Sequence, residues 1–282
     1  MNTSLKHELE VFATKSRLLI LEGIYNAKAG HPGGSLSIAE LMAYLYNVEM
    51  RVDASNPKWE DRDRFVLSKG HAAPALYAAL ALKGFFPTED IKTLRKSDSY
   101  LQGHPSMKTV PGVDMSTGSL GQGISTAVGM ALAAKLDNKD FRTYTILGDG
   151  EIEEGQVWEA AMFASAKGLD NLVVIVDNNN LQIDGTVEEV NSPYPIPEKF
   201  TAFGFNTIEI DGNNLDEIAD AFENAKATKG KPTAIIAKTV KGKGVSYMEN
   251  AVNWHGAAPN EELYNTAVAE LTAKLNELEG VK

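Results

Sequence analysis

Cysteine is absent from the 282 residues, which excludes disulfides, thiolate zinc sites and a cysteine nucleophile. Positive charge is scarce as well: 27 Lys and Arg stand against 38 Asp and Glu, a formal net charge of −11. That balance argues against a broad nucleic-acid face, and no nucleic-acid partner is expected. Long apolar runs are lacking too. The longest, Ala73 to Leu82, covers 10 residues and contains Pro74. A bilayer span needs about 20, so no membrane partner is expected. Met1 to Glu10 is mostly polar and charged, with no apolar h-region, which implies no signal peptide and a cytoplasmic location.

What is present is a helix–strand alternation. Leu5, Leu9, Phe12, Leu18, Leu19 and Ile24 fall near one helical face. Gly30-His31-Pro32-Gly33-Gly34 reads as the stop of that helix, and Ser37 as the N-cap of a second running to about Val48. Phe65 to Leu67 reads as a buried strand after a polar loop, and a helix follows from about Pro74 to Lys83. Ser97 to Gly123 is rich in Gly, Pro, Ser and His with little periodicity, and loops of that length in a compact domain are usually functional. Helices are expected at Ile124 to Lys135, Glu154 to Lys167, Leu215 to Ala225 and Glu261 to Leu278. Strands are expected at Thr143 to Leu147, Leu172 to Val176, Thr207 to Ile210 and Thr233 to Ala237. Repeated strand–helix–strand units predict an α/β fold: a doubly wound, mostly parallel sheet with helices on both faces, in one domain over 1–282.

Two strand ends carry the chemistry. Thr143–Leu147 runs into Gly148-Asp149-Gly150, and the next strand runs into Asp177-Asn178-Asn179-Asn180, with Asn178 lying 30 residues beyond Gly148. In an open parallel sheet both segments leave at the C-terminal edge, where ligands bind. Asp149 offers a carboxylate oxygen, Asn179 an amide oxygen and Leu181 a carbonyl. With two phosphate oxygens and a water these make the octahedron that Mg²⁺ prefers; Ca²⁺ or Mn²⁺ would accept the same donors. Gly and Asn dominate turns, so the first triplet alone marks only a turn. The pairing is what carries the argument. Neither a Walker loop nor a dinucleotide GxGxxG occurs, since Gly118 to Gly123 reads GxxGxG.

GDG followed about thirty residues later by NN resembles the thiamine-diphosphate signature, and GDGEIEEGQVWEAAMFASAKGLDNLVVIVDNNNLQIDG resembles its transketolase form. The resemblance extends to histidines in GHPG, SKGHA, GHP and HGA contexts, and to Thr117–Gly123, which is similar to the family's TGxLGQG. It implies that thiamine diphosphate is bound through Gly118, Leu120, Gly150, Glu151, Asn179, Ile183, His71 and His255, and the metal by Asp149, Asn179 and Leu181. It further implies that His31, His104 and His255 contact the sugar, that His71 and His255 lie near the diphosphate and thiazolium, and that Glu154 sits at a subunit interface near the proton relay.

The resemblance covers nearly the whole chain but only the diphosphate-binding domain. In this family the glutamate at the aminopyrimidine, the pyrimidine pocket and the phosphate-gripping arginines belong to further domains. Either the chain is truncated or those domains form a separate polypeptide, and the final helix with Gly280-Val281-Lys282 reads as a finished end. The implied function is the N-terminal subunit of a split transketolase of the pentose phosphate pathway. It would transfer a two-carbon ketol unit between sugar phosphates in an α2β2 assembly with a C-terminal partner subunit. An E1 α-type subunit is the alternative. A noncatalytic, cofactor-binding role is a remoter one.

Overall fold

The computed structural model describes residues 1–280; Val281 and Lys282, part of the expected finished end, lie outside the described residues. Five parallel strands form one sheet in the order β1-β2-β3-β5-β4: β1 (Arg64–Leu67), β2 (Thr143–Gly148), β3 (Leu172–Asn178), β4 (Asn206–Asp211) and β5 (Thr233–Lys238). The central strand β3 is buried along its whole length, as expected of a parallel strand covered on both faces. Its side chains alternate accordingly. Leu172, Val174 and Val176 enter one core, with Ile124, Val157 and Phe200. Val173 and Ile175 enter the other, with Leu9, Ile20, Leu41, Tyr77 and Phe222.

The first core is closed by α5 (Gly123–Leu136), α6 (Gly155–Ala166) and α8 (Ile196–Ala202); the second by α1 (Thr3–Ala27), α3 (Ala39–Tyr44), α4 (Ala73–Leu82), α9 (Leu215–Ala227) and α10 (Glu261–Glu279). Helices on both faces of a parallel sheet are the doubly wound arrangement that the alternation predicts. Among the described residues no helix is long and apolar enough to cross a membrane.

Three local readings need correction. The first helix does not stop at the glycine cluster. It ends at Ala27, with Lys28 in the left-handed region (φ 54°) donating its N–H to the Tyr25 carbonyl. Pro32 then opens a short helix, α2 (Pro32–Leu36), because proline's fixed φ suits the first helical position. Nor is Ser37 an N-cap; Ile38 occupies that place before α3. The Ser37 hydroxyl donates instead to the buried Asp177 carboxylate at 2.8 Å, a long-range partner that outcompetes a local cap. The helix expected to reach Val48 is α-helical only to Tyr44 and widens into a π-turn over Leu45–Glu49.

The segment between β3 and β4 holds α7 (Val187–Asn191) as well as α8. The helix α7 starts on a capping box, Thr186 with Glu189, a sequence signal that the periodicity reading passed over.

Register brings the chemistry together. Gly148 is paired with Asp177 across β2 and β3, and Asn178 with Lys238 across β3 and β5. The turns after three neighbouring strands therefore leave the same edge side by side.

Candidate active site

At the C-terminal edge those turns, with the segment after β1, enclose a cleft of about 260 Å³. Asp149 forms part of its floor and is 2% exposed. Its Oδ1 accepts the Gly150 N–H at 2.9 Å; Oδ2 accepts the Asn180 N–H at 2.5 Å and Asn178 Nδ2 at 3.2 Å. Among the described residues no lysine, arginine or histidine forms an ion pair with it. Burial first, and then the neighbouring Asp177 charge, push its carboxyl up to about 6. A buried carboxylate ringed only by neutral donors lacks a counter-charge, which a divalent cation would supply.

The other oxygens lie in the turn after β3. The Asn179 side chain donates Nδ2 to Asp177 Oδ2 at 2.8 Å, while its Oδ1 accepts the Leu181 N–H at 3.2 Å. The Leu181 carbonyl accepts Lys241 Nζ at 2.6 Å. Asp149, Asn179 and Leu181 all line the cleft, so the donor set is one carboxylate, one amide oxygen and one backbone carbonyl. Among the described residues no group of three His, Cys, Asp or Glu could hold a metal, in keeping with a donor set that is mostly neutral oxygen.

Above this floor stand three histidines. The rings of His31 and His71 are 5.1 Å apart, those of His71 and His255 5.4 Å, and those of His31 and His255 5.6 Å. Each reaches the triangle differently. His31 precedes Pro32 at the start of α2, His71 lies in the 3-10 turn Gly70–Ala72, and His255 closes the 3-10 turn Val252–Trp254. Gly70 is needed for the second of these, because a Cβ there would come within 2.7 Å of the Gly118 nitrogen and of Thr117 Oγ1. Burial, and then the neighbouring cations and imidazoles, lower His31 to about 4 and His255 to about 3; His71 falls well below its ordinary value for the same reasons. All three are neutral near pH 7.

Gly118, Leu120, Gly150, Glu151 and Ile183 also line the cleft, with Leu120 and Ile183 exposed at its mouth. Glu151 is buried. Its carboxylate accepts from Ser68 Oγ, and from the Gly121 and Gly148 N–H groups, the latter two at 3.0 Å. It clasps the Thr117–Gly123 loop to the end of β2. Two expected site residues stand outside the lining. His104 is exposed, its ring near the position a Gly118 Cβ would take, at 3.2 Å. Glu154 is the exposed N-cap residue of α6, and Gly121 (φ 80°) packs against it so closely that a Cβ would sit 2.7 Å from that of Glu154.

The sequence reading missed two lysines. Lys69 and Lys241 are each 1% exposed and both line the cleft. Lys69 pairs with Asp177 at 2.6 Å. Lys241 lies 2.8 Å from His255 Nδ1, and burial lowers it to about 8. An ammonium can only donate, so Nδ1 accepts and the imidazole proton resides on Nε2. The available signal was position: both lysines directly follow parallel strands at the ligand-binding edge.

A family model described as transketolase, thiamine diphosphate binding domain, matches residues 9–275. The 6-deoxy-6-sulfo-D-fructose transketolase subunit of Clostridium sp. (strain MSTE9) is 51% identical over 95% of this chain and 96% of its own length. An apulose-4-phosphate transketolase subunit of Phocaeicola vulgatus is 46% identical over 96% of both. The crystal structure of the Campylobacter jejuni transketolase superposes with a TM-score of 0.89 at 34% identity, covering 100% of this chain but 46% of that one. The chain thus spans about half the length of that enzyme. With a matching domain model, a matching fold and relatives of equal length, this chain belongs to the transketolase family and carries its thiamine diphosphate binding domain.

Proposed function

We propose that this chain is the diphosphate-binding subunit of a two-chain transketolase, and that it anchors the cofactor through a divalent metal held by Asp149, Asn179 and the Leu181 carbonyl. The observation that carries the reading is the buried Asp149 carboxylate, which forms no ion pair among the described residues and lines the cleft with two neutral oxygen donors. Mg²⁺ suits those hard oxygens, and Ca²⁺ or Mn²⁺ would serve. Gly118, Leu120, Gly150 and Ile183 would bound the cofactor. The Glu151 carboxylate is already engaged three times, so a contact from that residue would come from its backbone.

When bound, thiamine diphosphate supplies the nucleophilic carbon and electron sink for breaking a C–C bond beside a ketone. The protein's part is to place and move protons. His255, held at Nδ1 by Lys241 and so protonated on Nε2, would have that proton to offer a bound sugar. His31 and His71 are neutral near pH 7 and add donors without adding charge. Such groups orient a carbonyl and neighbouring hydroxyls and exchange their protons. His104, at the loop above, would meet the sugar farther from the reacting carbon.

Half the site would lie elsewhere. The cleft is smaller than the roughly 300–1,000 Å³ of a complete small-molecule site. Leu120 and Ile183 stand 38% and 68% exposed at its mouth, and Met162 and Phe163 stand 60% and 43% exposed on α6. A C-terminal partner subunit covering them would bring the pyrimidine pocket and oppose its own carboxylate to Glu154. Two relatives of similar length are themselves named as transketolase subunits, which supports a partner subunit; the assembly would be α2β2. The substrates would be sugars bearing a terminal anion, since those relatives are named for a sulfo sugar and a sugar phosphate. A coupled ketol-transfer assay tests the reading. Activity should require both subunits, and full turnover by the pure isolated chain would overturn it.

A further inference from the structure

We propose that Asp177 is a positioning residue for the metal: its buried ion pair with Lys69 turns the Asn179 side chain so that the amide oxygen faces the cation. This rests on the metal reading above.

Asp177 lies near the end of the central strand and is 0% exposed. Four side-chain donors converge on it. Oδ2 accepts Lys69 Nζ at 2.6 Å, Ser37 Oγ at 2.8 Å and Asn179 Nδ2 at 2.8 Å, while Oδ1 accepts Thr239 Oγ1. An ionised carboxylate offers about four lone-pair sites and no proton. Three of the four donors crowd Oδ2, and one reaches Oδ1. Having no proton to donate, Asp177 cannot hold the oxygen end of the neighbouring amide.

The consequence falls on Asn179. An asparagine amide has two ends that differ only in sign, and nothing in its shape chooses between them. An acceptor-only partner chooses: Nδ2 must face Asp177, so Oδ1 is directed to the other side, where it already accepts the Leu181 N–H. Ser37, Lys69 and Thr239 come from separate segments of the chain, so the carboxylate cannot rotate to relax the choice. Lys69 is itself fixed by a second hydrogen bond, to the Gly34 carbonyl at 2.6 Å. The ion pair with Lys69 gives Asp177 a counter-charge of its own, whereas Asp149, at the end of the neighbouring strand, forms no ion pair among the described residues.

The test is Mn²⁺ binding to the full chain in the presence of thiamine diphosphate, read from the electron spin resonance of free Mn²⁺. Asp177→Asn gives the neighbour an amide that can donate to Asn179 Oδ1 and pull it from the metal. Outer partners of this kind typically matter by about 10- to 100-fold in metal affinity, and a loss in that range is expected. The exchanged pair Asp177→Asn with Asn179→Asp restores an oxygen toward the metal whichever way residue 179 turns, and should recover most of the affinity. A role in folding alone predicts no such recovery.

Unchanged affinity in Asp177→Asn, or no recovery in the exchanged pair, overturns the proposal. Should Asp177→Asn not fold, the wild-type chain decides by nuclear magnetic resonance without metal. The Asn179 Nδ2 protons should exchange slowly with water, and exchange as fast as that of a free amide overturns it. Asp149→Ala separates the two readings. If that variant binds Mn²⁺ like the wild type, the metal site itself is wrong. If it loses Mn²⁺ while Asp177→Asn does not, only the positioning role falls.

Discussion

The floor of the cleft and its rim are built on opposite principles. On the floor, Asp149, Asp177, Asn179 and Glu151 are buried or nearly so, and their side chains are hydrogen-bonded within the chain. At the rim, Leu120 and Ile183 are exposed apolar side chains, and Glu154 and His104 are exposed polar ones. Buried polar groups must find partners inside the fold, because leaving one unpaired costs about 1–3 kcal/mol. Exposed groups carry no such demand and can wait for another molecule. The floor's side chains are therefore partnered within the chain and await only a cation at Asp149, whereas the rim is surface open to another molecule.

The sharpest way to break this contrast is to remove the floor's charge. Asp149→Ala should weaken metal-dependent thiamine diphosphate binding by more than about 100-fold, since truncating one member of a buried charge interaction costs about 3–5 kcal/mol. Calorimetric titration with Mg²⁺ measures this. The ligand-free thermal midpoint should hold or rise, because a buried charge without a counter-ion is lost. Equal affinity in the variant would remove the floor from the account.

The rim should respond in the opposite sense. His104→Ala is expected to slow turnover with sugar by about 100-fold, the low end of what a positioned proton-transfer group contributes, and to leave cofactor affinity nearly unchanged. Collapse of cofactor binding would move that histidine to the floor. Smaller again, Phe163→Asp on α6 should weaken association with the partner subunit by about tenfold, near the low end of the roughly 1.5–3 kcal/mol of a buried apolar side chain. Sedimentation of the mixed subunits checks it, and unchanged assembly would mean the partner docks elsewhere.

The histidine triangle sets a pH limit on stability. The folded chain holds these imidazoles with depressed affinity for protons, His31 to about 4 and His255 to about 3, against an ordinary 6.5 when unfolded. Between those values the unfolded state binds more protons, so stability rises with pH. Their contribution is fully present above about pH 6.5 and is lost as the pH falls toward 4 and below. The thermal midpoint should therefore drop across that window, and replacing His71 with Asn should flatten part of the drop. A midpoint independent of pH there would contradict the burial of the triangle.

Much of the floor was legible in the amino-acid order. The two strand ends and their spacing placed Asp149 and Asn179 at one edge, because both strands of a strand–helix–strand unit end on the same side of a parallel sheet. Lys69 and Lys241 were not legible. A lysine after a strand reads as a solvated turn residue, and only the packing of β1 and β5 around the central strands shows each of them buried against a carboxylate or an imidazole. Ser37 misled for a similar reason: its hydroxyl serves Asp177, a residue 140 positions away, instead of its own helix. The capping box at Thr186 was readable and went unread. Local signals survive where no distant partner competes for the same atoms.

The central claim, that Asp149, Asn179 and the Leu181 carbonyl share one cation, is tested most directly by anomalous diffraction from crystals grown with thiamine diphosphate and Mn²⁺. The account predicts a single manganese peak within bonding distance of all three oxygens, at about 2.0–2.2 Å as for other small divalent cations with oxygen ligands. A bound diphosphate whose manganese lies away from the Asp149 carboxylate would contradict it.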